Sequence, residues 1–191
     1  MASSAARAEP VPQERQWIAR VVVDGDHAAF AELVRLHQSP LRQFLRRLVG
    51  DDHALADDLA QETMLKAWRH IASFRGDGRF LSWLFRIGFQ TFADRRRALG
   101  QRIDVPIEDE ALPVLDEPDR DIDGDRLLRL IDQLQPLERS AMHLHYGQDL
   151  SHSEVADTLQ IPIGTVKSLI RRARLKLQRV CGIAPWRADH E

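Results

Sequence analysis

Between Phe30 and Leu48 the residues Phe30, Leu33, Val34, His37, Leu41, Phe44, Leu45 and Leu48 recur at steps of three and four. Only an α-helix places such positions on one side, because a turn takes 3.6 residues; a strand would need strict alternation. The period returns in Leu55, Leu59, Met64, Leu65, Trp68 and Ile71, and again in Leu81, Leu84, Phe85, Ile87 and Gly88. No stretch of useful length alternates as a strand does, and no internal repeat is visible. The 191 residues are therefore read as an all-α chain, long enough for one medium domain or two small ones.

Capping and breaking residues divide the chain. Residues 1–13 are expected to be a disordered lead. A first unit is expected over 14–99, with helices near 14–23, from Asp26 as N-cap to Leu48, over 53–74 and over 80–98. Pro40 predicts a kink or break in the second helix. Residues 100–121, rich in acids and broken by prolines and glycines, read as a flexible acidic linker. A second unit is expected over 122–182. It starts with a helix on Leu127, Leu128, Leu130, Ile131 and Leu134, followed by one opened by Pro136 and running to Tyr146. Residues 183–191 are expected to be a tail, with no appended regulatory domain expected beyond it.

Several classes of protein are excluded. No run is apolar for the ~18 residues a membrane span needs, so no membrane insertion is expected. Met1 to Glu14 lacks the apolar core of a signal peptide, and a cytoplasmic location is expected. Cys181 is the only cysteine, so neither an internal disulfide nor a zinc site of several thiolates can form. His143 and His145, with His152 or the linker acids, raise the thought of a metal, but an i, i+2 pair points to different sides of a helix. No phosphate loop, nucleophile elbow or metalloprotease motif is present. The chain is expected not to be an enzyme: no catalytic residue, no cofactor and no metal.

The second unit has a sharper signature. Ser151-His152-Ser153-Glu154 is a capping box, and Val155, Ala156 and Leu159 give a short inner face. Gln160-Ile161-Pro162 makes a turn, and the next helix buries Val166, Ile170, Ala173 and Leu177. Six bases and no acids lie between Lys167 and Arg179. A short helix, a tight turn and a basic second helix make a helix-turn-helix whose second helix enters the major groove by its N-terminal end. Thr165, Lys167 and Ser168 suit base edges and phosphates there; Arg171, Arg172 and Arg174 suit phosphates. The plainer reading of those arginines is a solvated basic face.

The residues then resemble a family. Ile163-Gly164-Thr165-Val166-Lys167-Ser168, with Arg171-Arg172-Ala173-Arg174-Leu175-Lys176-Leu177, is similar to the end of the extracytoplasmic-function (ECF) sigma factors of bacterial RNA polymerase. Asp57-Asp58-Leu59-Ala60-Gln61-Glu62-Thr63 and Lys66-Ala67-Trp68 resemble the family's polymerase-binding segment. Phe74-Arg75-Gly76, Phe80, Trp83-Leu84-Phe85-Arg86-Ile87 and Asp94-Arg95 resemble its -10 element segment. Order and spacing match over about residues 14–181.

The resemblance implies two small helical domains, a four-helix promoter-melting domain and a helix-turn-helix domain, joined by the linker. It implies that Asp57, Asp58 and Gln61 bind the clamp coiled coil of core polymerase, with the flap as a second contact. It assigns Arg75, Arg79, Phe80, Trp83, Arg86, Gln90, Arg95, Arg96 and Arg97 to the -10 strand, and Thr165, Lys167, Ser168, Arg171, Arg172 and Arg174 to the -35 element. Trp68 and Phe85 are read as core. An anti-sigma factor is a further implied partner. Three positions depart from the family pattern: Gln90 where Asn is common, Leu55 where an acid is frequent, and Leu169 where Arg is frequent. The last would remove one DNA contact. The linker acids resemble a nucleic-acid mimic within a basic channel, or serve as a solvated tether. The rival reading is a one-component helix-turn-helix regulator independent of polymerase.

Overall fold

The computed structural model describes residues 12–76, 78–101, 103, 131 and 133–181. Seven α-helices are seen among them: α1 (Pro12–Asp24), α2 (His27–Val49), α3 (His53–His70), α4 (Phe80–Ala98), α5 (Pro136–Met142), α6 (His152–Leu159) and α7 (Ile163–Cys181). A 3-10 turn, Ile71–Ser73, closes α3, and a π turn, His143–Gly147, extends α5. The described residues contain no strand. The expected lead ends earlier than 13, because Pro12 and Gln13 already belong to α1; residues 1–11, most of the linker, the helix over 127–130 and the tail lie outside the described residues.

Local chemistry explains the element ends. The Asp26 carboxylate accepts from the Ala28 and Ala29 N–H groups and opens α2. Asp52 opens α3 by accepting from Leu55 N–H. Gly50 ends α2 at φ 70°, a conformation that costs a side chain but not glycine. Of the kink or break expected at Pro40, the break does not occur: α2 runs on through it. The carbonyl that proline leaves without a helical donor belongs to Leu36, an exposed residue on the outer side of α2.

In the first unit α1 packs on α2, and α2, α3 and α4 pack on one another. Two apolar clusters result. One gathers Val21, Leu33, Ala67, Ile71, Phe80 and Leu84 near α1, with Trp68 and Trp83 partly buried against it. The other runs through Leu41, Phe44, Leu45, Leu59, Phe85 and Phe89. At Gly88 a Cβ would lie 3.2 Å from Leu41 Cδ1, so α2 and α4 approach closely there. One polar pair is embedded: His37 Nε2 donates to Glu14 Oε1 at 2.8 Å, both side chains 8% exposed. Glu14, expected only as a helix start, is a buried anchor.

The second unit stacks α5, α6 and α7 around Leu137, Leu144, Val155, Leu159, Val166 and Leu169. The two units are not held apart. Their apolar residues form one continuous cluster, with α5 against α2 and α6 against α4. Arg139 Nε donates to the Arg47 carbonyl at 2.9 Å, and Arg79 Nη1 donates to the Gln148 carbonyl at 2.7 Å.

Candidate nucleic-acid interface

Helix α4 supplies most of the first candidate surface. Its inner stripe is fixed by Leu81, Leu84, Phe85, Phe89 and Phe92, which turns Arg86 and Gln90 outward. Together with Arg75, Arg79 and Trp83 they line a cleft of about 980 Å³. Lys66 and Arg69 of α3 line the same cleft, and the sequence reading did not assign them. Their i, i+3 spacing beside the Lys66-Ala67-Trp68 phrase was the available signal. Lys66 Nζ is anchored by Thr91 Oγ1 at 3.2 Å and Glu62 at 3.0 Å.

Phe80 does not face the cleft as a base platform. It is 2% exposed, packed edge-on to Phe74 at 5.4 Å and tilted against Trp83 at 5.3 Å. The position starts α4 on its inner face, so burial decides its role. Trp83 is half-buried, and its ring shares that cluster while lining the cleft. At the end of α4, Arg95 is exposed, Arg97 pairs with Asp94 at 3.0 Å, and the Arg96 guanidinium lies 6.0 Å from the Phe92 ring centre.

On α3, Asp58 and Gln61 are exposed as expected. Asp57 is turned toward α2, 3.4 Å from Arg42 Nε and 3.9 Å from Arg46 Nη2, so it is not a free acid. Leu65, 58% exposed, stands one turn beyond Gln61 on the same face. It read as part of the inner stripe because its spacing fits both sides of the boundary.

On α7, Lys167 and Arg171 are exposed, and Thr165 and Ser168 partly so. The Ser168 hydroxyl donates to the Gly164 carbonyl at 3.0 Å, and Ile163 is an exposed apolar residue at the helix start. Arg172 is not on this face. Its side chain is 10% exposed, with Nε 3.5 Å from Glu138 Oε1, while Lys176 Nζ lies 2.8 Å from Oε2. Glu138 is 0% exposed and also caps α5 by accepting from Gln135 N–H. Arg174 is half-buried and engaged within the chain. Leu169, expected to mark a lost DNA contact, is 0% exposed, so in this fold its side chain belongs to the core. The turn before α7 holds Gln160 at φ 52°, ψ 40°.

Among the described residues three groups have shifted protonation. Burial, helped by the Arg47 guanidinium, pushes His143 down to about 4. Burial, with His145 and Lys167 nearby, lowers His152; its ring stacks on His145 at 4.5 Å. The Ala29 N–H and the Arg20 guanidinium hold the Asp26 carboxyl below its usual range. The His145 Nδ1–H donates to the Leu150 carbonyl at 2.7 Å. Among the described residues no group of three or more histidines, cysteines and acids is placed to hold a metal ion, and no helix is long and apolar enough to cross a membrane.

Comparison with known proteins fits this geometry. Residues 33–102 match sigma-70 region 2, and residues 124–177 match sigma-70 region 4. The RNA polymerase sigma-H factor of Pseudomonas aeruginosa is 36% identical over 85% of this chain and 90% of its own length. The ECF RNA polymerase sigma-E factor of Haemophilus influenzae is 32% identical over 83% of this chain and 90% of its own. Among solved structures, CnrH in complex with the cytosolic domain of CnrY superposes with a TM-score of 0.59 at 26% identity, covering 87% of this chain and 95% of that one. The sigma factor RpoE in complex with the anti-sigma factor NepR from Bartonella quintana gives 0.60 at 28%, covering 81% and 97%. A stand-alone helix-turn-helix regulator would leave the region 2 match without a purpose. The chain belongs to the ECF sigma factors, the subunits that direct RNA polymerase to promoters by binding the core enzyme and the -10 and -35 elements.

Proposed function

We propose a residue-level division of this sigma factor's work. Asp58 and Gln61, with Leu65 beside them, hold the clamp coiled coil of core polymerase, and the second unit meets the flap. Arg75, Arg79, Trp83, Arg86 and Gln90 receive the unpaired -10 strand, with Arg95, Arg96 and Arg97 on its phosphates. Thr165, Lys167, Ser168 and Arg171 meet the -35 element, and Arg174 contributes from the flank. The working units are 14–99 and 122–182, joined by 100–121. The chain has no catalysis of its own and works in the cytoplasm. By analogy with RpoE and its anti-sigma factor NepR, an anti-sigma factor is a partner.

The observation that carries this reading is the cleft that Arg75, Arg79 and Arg86 line together with Trp83. Aromatic and guanidinium planes take unstacked bases, and charge takes phosphates. Run-off transcription with a bacterial core polymerase tests it. Asp58→Arg should abolish core binding without changing the helical circular dichroism. Arg86→Ala with Gln90→Ala should keep core binding and lose start-site selection. Unchanged start sites in the second variant would place the -10 strand elsewhere.

A further inference from the structure

Two histidines beside the recognition helix have no role so far. His152 is the first residue of α6, and His145 lies in the π turn after α5. Their rings stack, with centroids 4.5 Å apart and planes 20° from parallel. The His145 Nδ1–H is committed to the Leu150 carbonyl at 2.7 Å, and Tyr146 packs edge-on to the same ring at 4.6 Å. His145 is thereby a fixed platform, and His152 lies on it, partly exposed.

The charges around His152 are one-sided. Burial opposes a proton on it, and so do His145 and Lys167 of α7. On its own helix, Glu154 spends its carboxylate on the Ser151 N–H at 2.8 Å and the Ser151 hydroxyl at 2.7 Å, and Asp157 projects from another side. Asp149, in the loop before α6, is exposed. Arg79 and Arg86 of α4, which also packs on α6, line the cleft with Glu154 and Asp157, and His152 is not part of that cleft. A docked anion reverses this balance. Beside a phosphate an imidazolium gains a charge-assisted hydrogen bond, and the opposite charge favours the protonated form. In helix-turn-helix docking the first helix crosses the phosphate backbone while the second enters the groove. The end of α6 that carries His152 is the end beside Lys167. Of two stacked rings only one takes a proton readily, because they titrate as a coupled pair.

We propose that His152, seated on the His145 ring, is a proton-linked phosphate contact of the helix-turn-helix unit: it takes up one proton as a duplex phosphate docks beside Lys167. The bound state holds a proton that the free state lacks, so the grip on duplex DNA strengthens as pH falls. This rests on the assignment of Lys167 and Arg171 to the -35 duplex.

The test uses the full chain, in which Lys167 and Arg171 are exposed. The probe is a fluorescein-labelled duplex of ~20 base pairs and random sequence, since a phosphate contact needs no particular bases. Anisotropy titrations at about pH 6 and about pH 8 bracket the histidine range. His143, which ionises at about 4, is silent there. Affinity should be at least ~3-fold higher at the lower pH, with a salt slope steeper by about 0.9, the mark of one further phosphate contact. His152→Gln should remove both differences. His152→Arg carries a permanent charge on a plane that stacks, and at the higher pH it should bind as the unaltered chain does at the lower. His145→Gln removes the opposing neighbour, so the response should persist and move to higher pH; its loss there would put the proton on His145 and overturn the assignment. Lys167→Ala and Arg171→Ala should weaken binding at both pH values. If they do not, the -35 assignment falls and the histidine contact with it. If they do, and His152→Gln keeps the full pH response, the histidine contact alone is overturned.

Discussion

The two units solve the problem of holding short helices together in different ways. In the first, helices of 13 to 23 residues bury a dense apolar and aromatic core, with the His37–Glu14 pair as one polar insertion. In the second, α5 and α6 have 7 and 8 residues, too few to be helical by propensity alone. Each of these starts with a reciprocal capping box, Gln135 with Glu138 and Ser151 with Glu154. Glu138 then binds Arg172 and Lys176 across to α7. Where a unit is too small to rely on area, helix ends and one buried carboxylate fix its geometry.

The strongest way to break this contrast is to remove one keystone from each side. Phe44→Ala and Glu138→Ala should each cost about 3–5 kcal/mol in urea unfolding, the first through a cavity and the second by stranding two cations. They should differ in rescue. Adding Arg172→Met and Lys176→Met to Glu138→Ala should restore most of the loss, since no stranded charge remains. Failure of that rescue would mean that the second unit, too, depends on packed volume at this site.

The seam between the units responds to acid. His143 ionises at about 4 in the folded chain, below its usual 6.5, because it is buried beside Arg47, with Arg139 bonded to the Arg47 carbonyl. The unfolded chain takes up a proton between those values that the folded chain refuses. Stability should therefore be full above pH 6.5 and fall by on the order of 1–3 kcal/mol down to pH 4. His143→Leu should flatten that part of the curve; an unchanged slope would assign it to other groups.

Capping gives a finer comparison. Ser151→Ala should cost about 1–2 kcal/mol, because it disrupts a reciprocal box on an 8-residue helix. Asp26→Ala should cost nearer 0.5–1 kcal/mol, since the 23-residue α2 has a core to lean on. Equal losses in thermal unfolding would remove the distinction. The smallest effect has the opposite sign. Gln160 holds a left-handed conformation, so Gln160→Gly should stabilise by about 0.5–1 kcal/mol.

What was legible in the sequence is what short range decides. Asp26, the Ser151–Glu154 box and the start of α4 at Phe80 follow from neighbours within a turn. The inner stripes of α2 and α4 follow from the period. The failures lie at the edges of those stripes or beyond a single helix. Arg172 flanks the Val166–Ile170 stripe, and only the position of Glu138 on another helix turns it inward. Asp57 is claimed by arginines of α2, and Phe80 by a cluster drawn from all four helices of the first unit. The docking of the two units has no periodic signal, because each contributing face also serves its own core.

The Glu138 triad has a consequence for salt. Of the six bases from Lys167 to Arg179, Arg172 and Lys176 are already spent on a carboxylate inside the protein. Binding a duplex expels condensed counterions only in proportion to the cations that reach phosphates, with a slope of ~0.9 per contact. The recognition helix therefore displaces fewer ions than its sequence advertises. Its hold on a promoter is weaker in dilute buffer, but it erodes more slowly as ionic strength rises than that of a helix presenting all six.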